Sequence, residues 1–438
     1  MNRLFRQASV RLLAMACSLP ATAFANEATI DQKEQKEQKE QKEQKDQKEP
    51  SSLSLKQALQ LTLNKNPELG LYPLYVRQVD GEMQQADISP ITVADIELRQ
   101  DEATLTFSQS FELGDKRLSR VGYSSAKQQQ LQAEFAITRL DVLAETSRRY
   151  YQLLALQKQQ TLLKTRTSQE KRALKIINKR AQAGAISQAD VSNMALRLAR
   201  SENTLEQLQF SISLEKNRLS AMWLASDKNP ELNFTQVIGK LSKLPKIPEA
   251  DLLAMTITES LEQLPDYRLQ VALSRLADSQ VQLERANGNA NIDLGIGIAH
   301  DRNGGGQSLV FTAAVPLNFS NPNRGRIDSA LAQQQLSLEQ VEIKRNELHI
   351  ELIRIQQNLA KDMQLAKQIK NQLLPLAIEL LSETQKAYRL GRYTVLQWID
   401  AQDQVFNLEQ DLINSQVRIF NQVLELERIL GQSIVSAQ

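Results

Sequence analysis

The sequence predicts a mainly α-helical protein with a small membrane β part, organised as an internal tandem repeat. Two observations carry this prediction. A glycine followed three residues later by a hydroxyl residue interrupts a helical run at two matched places, Gly184 with Ser187 and Gly391 with Thr394. Each of these turns follows a long helical run, and each run follows two stretches of alternating polarity. Because two copies of one unit fold alike, the repeat decides the architecture.

The limits of the repeat follow from a second pair of matched segments. Thr62, Leu63, Pro67 and Glu68 recur as Ser260, Leu261, Pro265 and Asp266. We therefore expect repeat 1 over residues 53–224, a linker over 225–249, repeat 2 over 250–432 and a short tail over 433–438. Each copy is predicted to run in the order helix, two strands, long helix, turn and helix.

The N-terminal region predicts export. Basic residues precede an apolar stretch, and a small-x-small triplet ends at Ala25, so residues 1–25 are expected to be a signal peptide. Cys17 leaves lipoprotein processing open as an alternative. Residues 26–52, rich in repeated Gln-Lys-Glu, are predicted to be a polar tether. No later segment has the roughly 20 apolar residues of a membrane-spanning helix, which leaves the periplasm, the outer membrane as a β-barrel, or secretion.

Composition argues against several classes of function. The net charge of +2 over 438 residues gives no reason to expect nucleic acid as a partner. One cysteine and two histidines, His300 and His349, are too few for a resident zinc or copper site. Catalytic triads, phosphate loops and other enzyme signatures are missing from the sequence, so we expect neither an enzyme nor a bound cofactor.

Four strands are predicted from alternating polarity, over residues 92–99, 104–113, 292–300 and 308–319. In the third strand Ile292, Leu294, Ile296 and Ile298 share one face, while small or polar residues share the other. Strands of about 9 to 11 residues with this alternation are typical of membrane β-barrels. A half-buried hairpin packed on helices is the alternative.

Four helical patterns flank these strands and turns, over residues 54–88, 115–181, 250–286 and 323–390. Apolar or small residues recur at steps of three and four, which predicts that the helices pack side by side as coiled coils. In the last helix this seam contains Leu348, Leu352, Ile355, Leu359, Met363, Ala366, Ile369, Leu373, Leu376 and Leu380. Pro375 should bend that helix locally.

The two short helices of each copy are together about as long as its long helix, so stacked end to end they would lie beside it. Four strands per chain leave two unpaired edges, which a membrane does not tolerate. Closure therefore requires several chains. The predicted architecture is a long α-helical coiled-coil barrel joined to a transmembrane β-barrel that oligomerisation completes.

The two turns are predicted helical hairpins. Each glycine supplies a left-handed residue that ends one helix, and Ser187 or Thr394 caps the next. Capping alone explains either turn, but both copies carry one at the same place. The tip residues are Ala183, Gly184, Ser187, Leu390, Gly391 and Thr394.

From Ser54 to Gln432 the chain resembles the TolC-type outer-membrane efflux channel family. The motifs that carry this resemblance are Asn66-Pro67-Glu68, the Gln-Ser-Phe-Glu-Leu-Gly-Asp-Lys-Arg segment at 109–117, Pro316-Leu317-Asn318-Phe319, Asn323-Arg324-Gly325-Arg326 and both helical turns. The segment at 111–117 is most similar to the branch that works with heavy-metal pumps of the cobalt-zinc-cadmium kind.

The resemblance implies a homotrimer in the outer membrane of a Gram-negative bacterium, with a twelve-stranded barrel in outer-membrane lipid and a twelve-helix tunnel across the periplasm. It also implies that the turns around Gly184 and Gly391 meet a periplasmic adaptor, the membrane fusion protein. A proton-driven inner-membrane pump would supply the energy, and the channel would conduct passively.

The resemblance further implies a gate near the second turn, formed by Tyr388, Arg389, Gln397, Asp400 and Asp403. Tyr388 and Asp400 match the family pattern, whereas Gln397 stands where that pattern has an aspartate, and Asp403 lies one turn further on. Three copies of Asp400 would attract cations and repel anions. Alternatively, the two aspartates belong to a solvated helix face.

Two other functions use similar helices. A type I protein-secretion conduit would have the same architecture and differ only in its partner. A periplasmic coiled-coil scaffold would need the helices but gives no reason for four amphipathic strands at matched points.

Overall fold

The computed structural model describes residues 52–223, 234–241, 261–316 and 321–432. Within the described residues the chain divides into two units, a small one of Ser52 with Phe234–Gln236 and a larger one that contains the other described residues. The predicted signal peptide, the tether up to residue 51, most of the inter-repeat linker and the tail lie outside the described residues.

The described residues form nine α-helices and six strands, labelled in chain order. The helices are α1 (Leu55–Lys65), α2 (Pro67–Gly70), α3 (Tyr72–Ala86), α4 (Lys116–Gln182), α5 (Gln188–Ser220), α6 (Pro265–Asn287), α7 (Arg324–Gln368), α8 (Leu374–Arg389) and α9 (Val395–Leu430). The strands are β1 (Ser52–Leu53), β2 (Thr92–Leu98), β3 (Glu102–Glu112), β4 (Gln236–Val237), β5 (Asn291–Asp301) and β6 (Gln307–Ala314). A 3₁₀ turn, Leu261–Gln263, precedes α6, and a π-helical turn, Ile369–Leu373, joins α7 to α8.

The predicted first helix is divided into three. Asn66 has extended backbone angles, because the ring of Pro67 disfavours the helical conformation in the residue before it. The Asn66 side chain then caps α2 by accepting hydrogen bonds from the N–H groups of Glu68 and Leu69, at 3.0 and 3.1 Å. The single helix expected over 54–88 is therefore wrong. Leu264 before Pro265 is likewise extended, so α6 begins at Pro265.

The long helix α4 runs unbroken for 67 residues, as predicted, which corresponds to about 100 Å. The second long helix, predicted over residues 323–390, is interrupted by the π-helical turn, where the N–H of Leu374 donates to the carbonyl of Ile369. Pro375 follows at once. A proline has no N–H for the usual bond four residues back and its ring displaces that carbonyl, so the wider turn accommodates it.

The π-helical turn also changes which residues of the second long helix are buried. Leu352 and Ile355 lie in the core, as the predicted seam requires, but beyond the turn Leu376 and Leu380 are exposed. The buried positions there are Ala377, Thr384 and Tyr388. An extra residue in one turn rotates every later side chain around the helix axis, so the seam prediction fails past Ile369.

Helices pack side by side in the larger unit, with α4 against α5, α6 and α9, and α9 against α7 and α8. One core cluster, at the junction of α6, α7 and α9, contains Leu261, Leu264, Leu348, Leu352, Ile355, Leu426, Ile429 and Leu430. A second contains Leu359, Ala366, Ile419 and Val423. Of the helices that the structure describes, none combines the length and the apolar character needed to cross a membrane.

The four longer strands form one antiparallel sheet in the order β2-β3-β5-β6, so the two hairpins meet through β3 and β5. The register aligns apolar residues across all four strands. One row contains Ile96, Leu105, Ile298 and Leu309, and the next contains Ala94, Phe107, Ile296 and Phe311. The large side chains in these rows are exposed in the single chain, up to 75% for Phe311. The predicted alternation is confirmed for the described part of the strands; Leu317 and Phe319 lie outside it.

The opposite face of the sheet is closely packed. A Cβ atom added to Gly297 would lie 2.4 Å from the carbonyl oxygen of Leu105 and 2.7 Å from Oγ1 of Thr106. A Cβ atom on Gly295 would lie 2.4 Å from Oγ1 of Thr312. These positions need glycine because neighbouring backbone and threonine side chains fill the space that a side chain would take.

Candidate functional site at the helical turns

Both turns close by the same hydrogen bonds. At the first turn the N–H of Ala185 donates to the carbonyl of Arg180 at 2.9 Å, and at the second that of Arg392 donates to Ala387 at 2.9 Å. Gly184 and Gly391 have φ angles of 73° and 72°, the left-handed conformation that this helix ending requires. The predicted helical hairpins are therefore confirmed.

The hydroxyl residues cap the helices that follow. Oγ of Ser187 accepts a hydrogen bond from the N–H of Asp190 at 3.2 Å. Thr394 and Gln397 form a reciprocal capping box, in which Oε1 of Gln397 accepts from the N–H of Thr394 at 2.9 Å. The Gln397 side chain, which stands where the family pattern has an aspartate, therefore fixes the start of α9. All six tip residues named above are exposed.

Tyr388 lies inside the protein rather than on its surface. It is 7% exposed and its ring stacks on that of Trp398, with centroids 5.3 Å apart and 7° between the planes. The guanidinium of Arg180 lies 4.7 Å from the centroid of the Tyr388 ring. The surrounding cluster joins α4, α5, α8 and α9 and contains Ala173, Ile177, Val191, Met194, Tyr388, Val395, Trp398 and Ile399. The two helical hairpins thus pack into one apolar unit.

A charge network, buried at Glu170 and half-buried at its other members, lies next to this cluster. Asp403 on α9 forms ion pairs with Arg166 on α4, at 3.0 Å, and with Arg197 on α5. Glu170 on α4, 3% exposed, pairs with the same two arginines, at 2.9 and 3.5 Å. Two acidic and two basic groups therefore balance, and the network fastens three helices together.

Burial and the nearby charge of Arg166 lower the pKa of Arg197, while Glu170 and Asp400 act in the opposite direction. One carboxylate oxygen of Glu170, Oε2, is buried without a partner among the described residues. Removing one member of a buried ion pair costs about 3 to 5 kcal/mol, because the other charge is left uncompensated. The network therefore depends on all of its members.

The other predicted gate residues are on the surface. Arg389 and Asp400 are exposed, and neither side chain forms a hydrogen bond or ion pair within the described part of the chain. The structure therefore buries Tyr388 inside the tip, places Asp403 half-buried between the helices and leaves Arg389, Gln397 and Asp400 on the surface.

Sequence reasoning missed Trp398, Arg166, Glu170 and Arg197. Arg166 and Glu170 stand four residues apart, which is the spacing of a helical ion pair. That spacing is common on solvated helices, and nothing in the sequence connects this pair to Asp403, so no local signal could have identified the network.

A cavity of about 530 Å³ opens beside the network, between α4, α5 and α9. Its charged lining consists of Arg166, Arg197, Arg200 and Asp190, and Leu396 and Phe406 are among its apolar residues. The guanidinium of Arg166 lies 4.3 Å from the centroid of the Phe406 ring. Within the described ranges, no group of three or more His, Cys, Asp or Glu side chains could hold a metal ion.

Comparisons with known proteins agree with this architecture. Residues 52–223 match the family described as Outer membrane efflux protein. The chain is 23% identical over 385 residues to the cobalt-zinc-cadmium resistance protein CzcC of Cupriavidus metallidurans, covering 87% of this chain and 90% of CzcC. Its fold is similar to that of the outer-membrane channel OprN, with a TM-score of 0.72 and 15% identity over 87% of this chain and 90% of OprN. CusC gives a TM-score of 0.68 and 16% identity over 86% of this chain and 92% of CusC.

Paired helical hairpins joined to an amphipathic four-stranded sheet thus form a fold similar to that of solved outer-membrane channels. The match of residues 52–223 to the Outer membrane efflux protein family agrees with the resemblance to the TolC-type efflux channels. The family matched by residues 52–223 and the similar channel OprN are not enzymes, which agrees with the expectation from the sequence.

Proposed function

We propose that this protein is the outer-membrane channel of a tripartite efflux pump and conducts substrate passively from the periplasm to the exterior. The observation that carries this proposal is the sheet. One of its faces exposes large apolar side chains on all four strands, and water does not stabilise such a surface. Lipid does, which argues against a coiled-coil scaffold confined to the periplasm.

Closure of the sheet requires other copies of the chain. β2 and β6 are edge strands, each paired on one side within the described residues. Three chains that pair β6 of one copy with β2 of the next would give a twelve-stranded barrel with its backbone groups satisfied. The long helices, arranged as two tandem repeats, would continue this barrel as a tunnel into the periplasm.

The cargo we propose is a metal cation. The similarity to CzcC, a cobalt-zinc-cadmium resistance protein, supports this substrate class. Asp400 supports it on physical grounds, because an exposed carboxylate without an ion pair, repeated in three copies near the narrow end, attracts cations. An inner-membrane proton-driven pump would select the cargo and supply the energy.

The helical tips are proposed to close the channel and to bind a periplasmic adaptor. The exposed residues Gly184 and Gly391, with their neighbours Ala183, Ser187, Leu390 and Thr394, would meet the adaptor. The gate would consist of Tyr388, Arg389, Gln397, Asp400 and Asp403. Within it, the ion pairs of Asp403 hold α9 to the α4–α5 hairpin, so a shift of α9 on adaptor binding would have to break them.

Conductance of the purified protein in planar bilayers tests this proposal. We expect the wild type to insert and to conduct little, and Asp400→Ala to change cation selectivity and raise the current. Glu339→Ala is the matched control, since Glu339 is an exposed carboxylate of α7 without an ion pair among the described residues. A protein that stays monomeric and never inserts would contradict the proposal and favour the scaffold. An ATP-driven exporter as its partner would favour protein secretion instead.

A further inference from the structure

Three arginines lie where the second hairpin joins its helices. Arg285 is in the last turn of α6, shortly before β5, and Arg324 and Arg326 are in the first turn of α7. A hydrogen bond of 2.5 Å from Nδ2 of Asn323 to the carbonyl of Glu284 fixes the start of α7 beside the end of α6. We call Arg285, Arg324 and Arg326 the arginine patch.

The charges of the arginine patch are largely unpaired. The Arg324 side chain is 86% exposed, and its ion pair with Asp328 is long, at 4.0 Å. The exposed side chains of Arg285 and Arg326 form no hydrogen bond or ion pair with the described residues. The nearest acidic residue along α6, Glu284, accepts hydrogen bonds from Asn323 and Gln280, at 2.9 and 2.7 Å, so amide groups occupy both of its oxygens.

The corresponding cations of the first hairpin are paired. Arg117 binds Asp87 at 2.8 Å, and Arg120 binds both carboxylate oxygens of Glu112, at 2.5 and 2.9 Å. Lys116 donates to Asn291. The positively charged residues beside the first hairpin therefore have a structural role within the chain. The arginine patch has no comparable role.

Local helix energetics do not explain the arginine patch either. The first turn of α7 contains no acidic residue, and the side chain of its N-cap residue, Asn323, accepts no hydrogen bond from the N–H groups of that turn. Two arginines at a helix start oppose the helix dipole. Positive charge at a helix N-terminus is unfavourable, and no contact within the described part of the chain compensates for it here. We take this as an indication that a partner outside the chain binds these arginines.

We propose that the arginine patch binds the phosphate groups of anionic phospholipids in the periplasmic leaflet, an inference that rests on the proposed insertion of the sheet into the outer membrane. The exposed apolar residues nearest the helices, such as Phe111 and Leu113, would lie in the hydrocarbon. Phe111 pairs with Ile292, which lies only seven residues after Arg285, and part of that connection is still helical. The patch is therefore on the order of 10 Å from these apolar residues and so at the depth of the headgroups. Guanidinium groups bind phosphate oxygens in pairs, which suits arginine better than lysine.

Native mass spectrometry of the full-length protein in detergent tests this inference, with phosphatidylglycerol and phosphatidylcholine of the same acyl chains as probes. We expect the wild type to retain phosphatidylglycerol preferentially. Each neutral substitution should weaken that retention about fivefold, and Arg285→Gln/Arg324→Gln/Arg326→Gln by tenfold or more. If the triple variant does not fold, Arg326→Gln alone is used, because the Arg326 side chain is exposed and forms no hydrogen bond or ion pair with the described residues.

The matched control is Arg345→Gln/Lys361→Gln/Lys367→Gln, which removes three exposed charges from the same helix. Arg345 lies about 30 Å along α7 from Arg324, beyond the reach of a headgroup charge. Equal loss in the control, or unchanged lipid preference in the patch variants, would overturn the inference. So would displacement of the lipid by millimolar inorganic phosphate, which would indicate a site for free anions.

Failure of the inference and failure of the proposed function give different results. If the variants insert and conduct like the wild type but keep their lipid preference, the inference alone is wrong. If the wild type neither inserts nor conducts, the proposed function is wrong and the inference with it.

Discussion

Asp403 on α9 and Arg166 on α4 form an ion pair of 3.0 Å in the interior of the helical tip. The two residues are far apart in sequence, and their side chains are 28% and 23% exposed. Asp403, which the resemblance assigns to a gate, therefore also holds two helical hairpins together.

Asp403→Asn should loosen the tip, because Arg166 and Arg197 would then share Glu170 as their nearest carboxylate. We expect higher conductance in planar bilayers and a loss of stability of about 3 kcal/mol, at the lower end for buried ion pairs because the group is partly exposed. The double variant Arg197→Gln/Asp403→Asn should lose less than the sum of the single changes. Additive losses would show that the two residues act independently.

Trp398→Ala should destabilise the tip by about 3 to 5 kcal/mol, since it removes a buried ring and the stacking partner of Tyr388. Thermal unfolding followed by circular dichroism measures the effect. Leu396→Ala, at an exposed position on the same helix, is the control and should change the midpoint little. Equal effects of the two substitutions would mean that the apolar cluster does not support the tip.

Gly297→Ala should impair the sheet, because the new methyl group would meet the carbonyl of Leu105 and the side chain of Thr106. Overpacking of this kind costs about 1 to 3 kcal/mol. The amount of folded oligomer that resists dissociation in detergent gives the measure. Gly306→Ala, in the hairpin loop where a Cβ atom meets no neighbour, should have no such effect. If both variants assemble normally, the close packing of this face is unimportant.

The free energy of unfolding should fall at alkaline pH because the buried phenol of Tyr150 loses its proton. Burial raises the pKa of this phenol to about 12, against an ordinary value of 10.0. The unfolded chain therefore releases the proton at lower pH than the folded chain does. The contribution of protonated Tyr150 to the free energy of unfolding is complete below pH 10. It is lost between about pH 10 and 12 and amounts to on the order of 2 kcal/mol.

Denaturant unfolding of the wild type and of Tyr150→Phe between pH 8 and 12 checks this expectation. Tyr150→Phe removes the titration but also the hydrogen bond of 3.0 Å to the carbonyl of Leu53, so its stability at pH 8 should be lower. Above pH 10 its stability should fall less steeply than that of the wild type. Parallel pH curves would assign the alkaline loss to other groups.

Much of the fold was predictable because its signals are local. Gly184 and Gly391 end their helices through their own backbone angles, and the alternation along β5 follows from the geometry of a single strand. Pro375 likewise acts on its own helix. The prediction failed where one local event changes the environment of distant residues, as when the π-helical turn moves Leu376 and Leu380 to the surface.

The candidate site was predictable only in part. The turn residues were identified because a glycine followed by a hydroxyl residue occurs at two matched places, and both turns are exposed in the structure. Tyr388 was identified by resemblance, but its stacking on Trp398 depends on the packing of α8 against α9. That packing has no signature in the sequence around either residue.

By itself, the sequence determined the helices, the turns and the polarity of the strands, because hydrogen bonding, capping and side-chain alternation act over a few residues. Only the tertiary structure decided that Asp403 pairs with Arg166 and Arg197, and that the cations of the first hairpin are paired while Arg285 and Arg326 are not. The reason is physical. An ion pair depends on the distance between two atoms in space, and for residues on different helices that distance is set by packing.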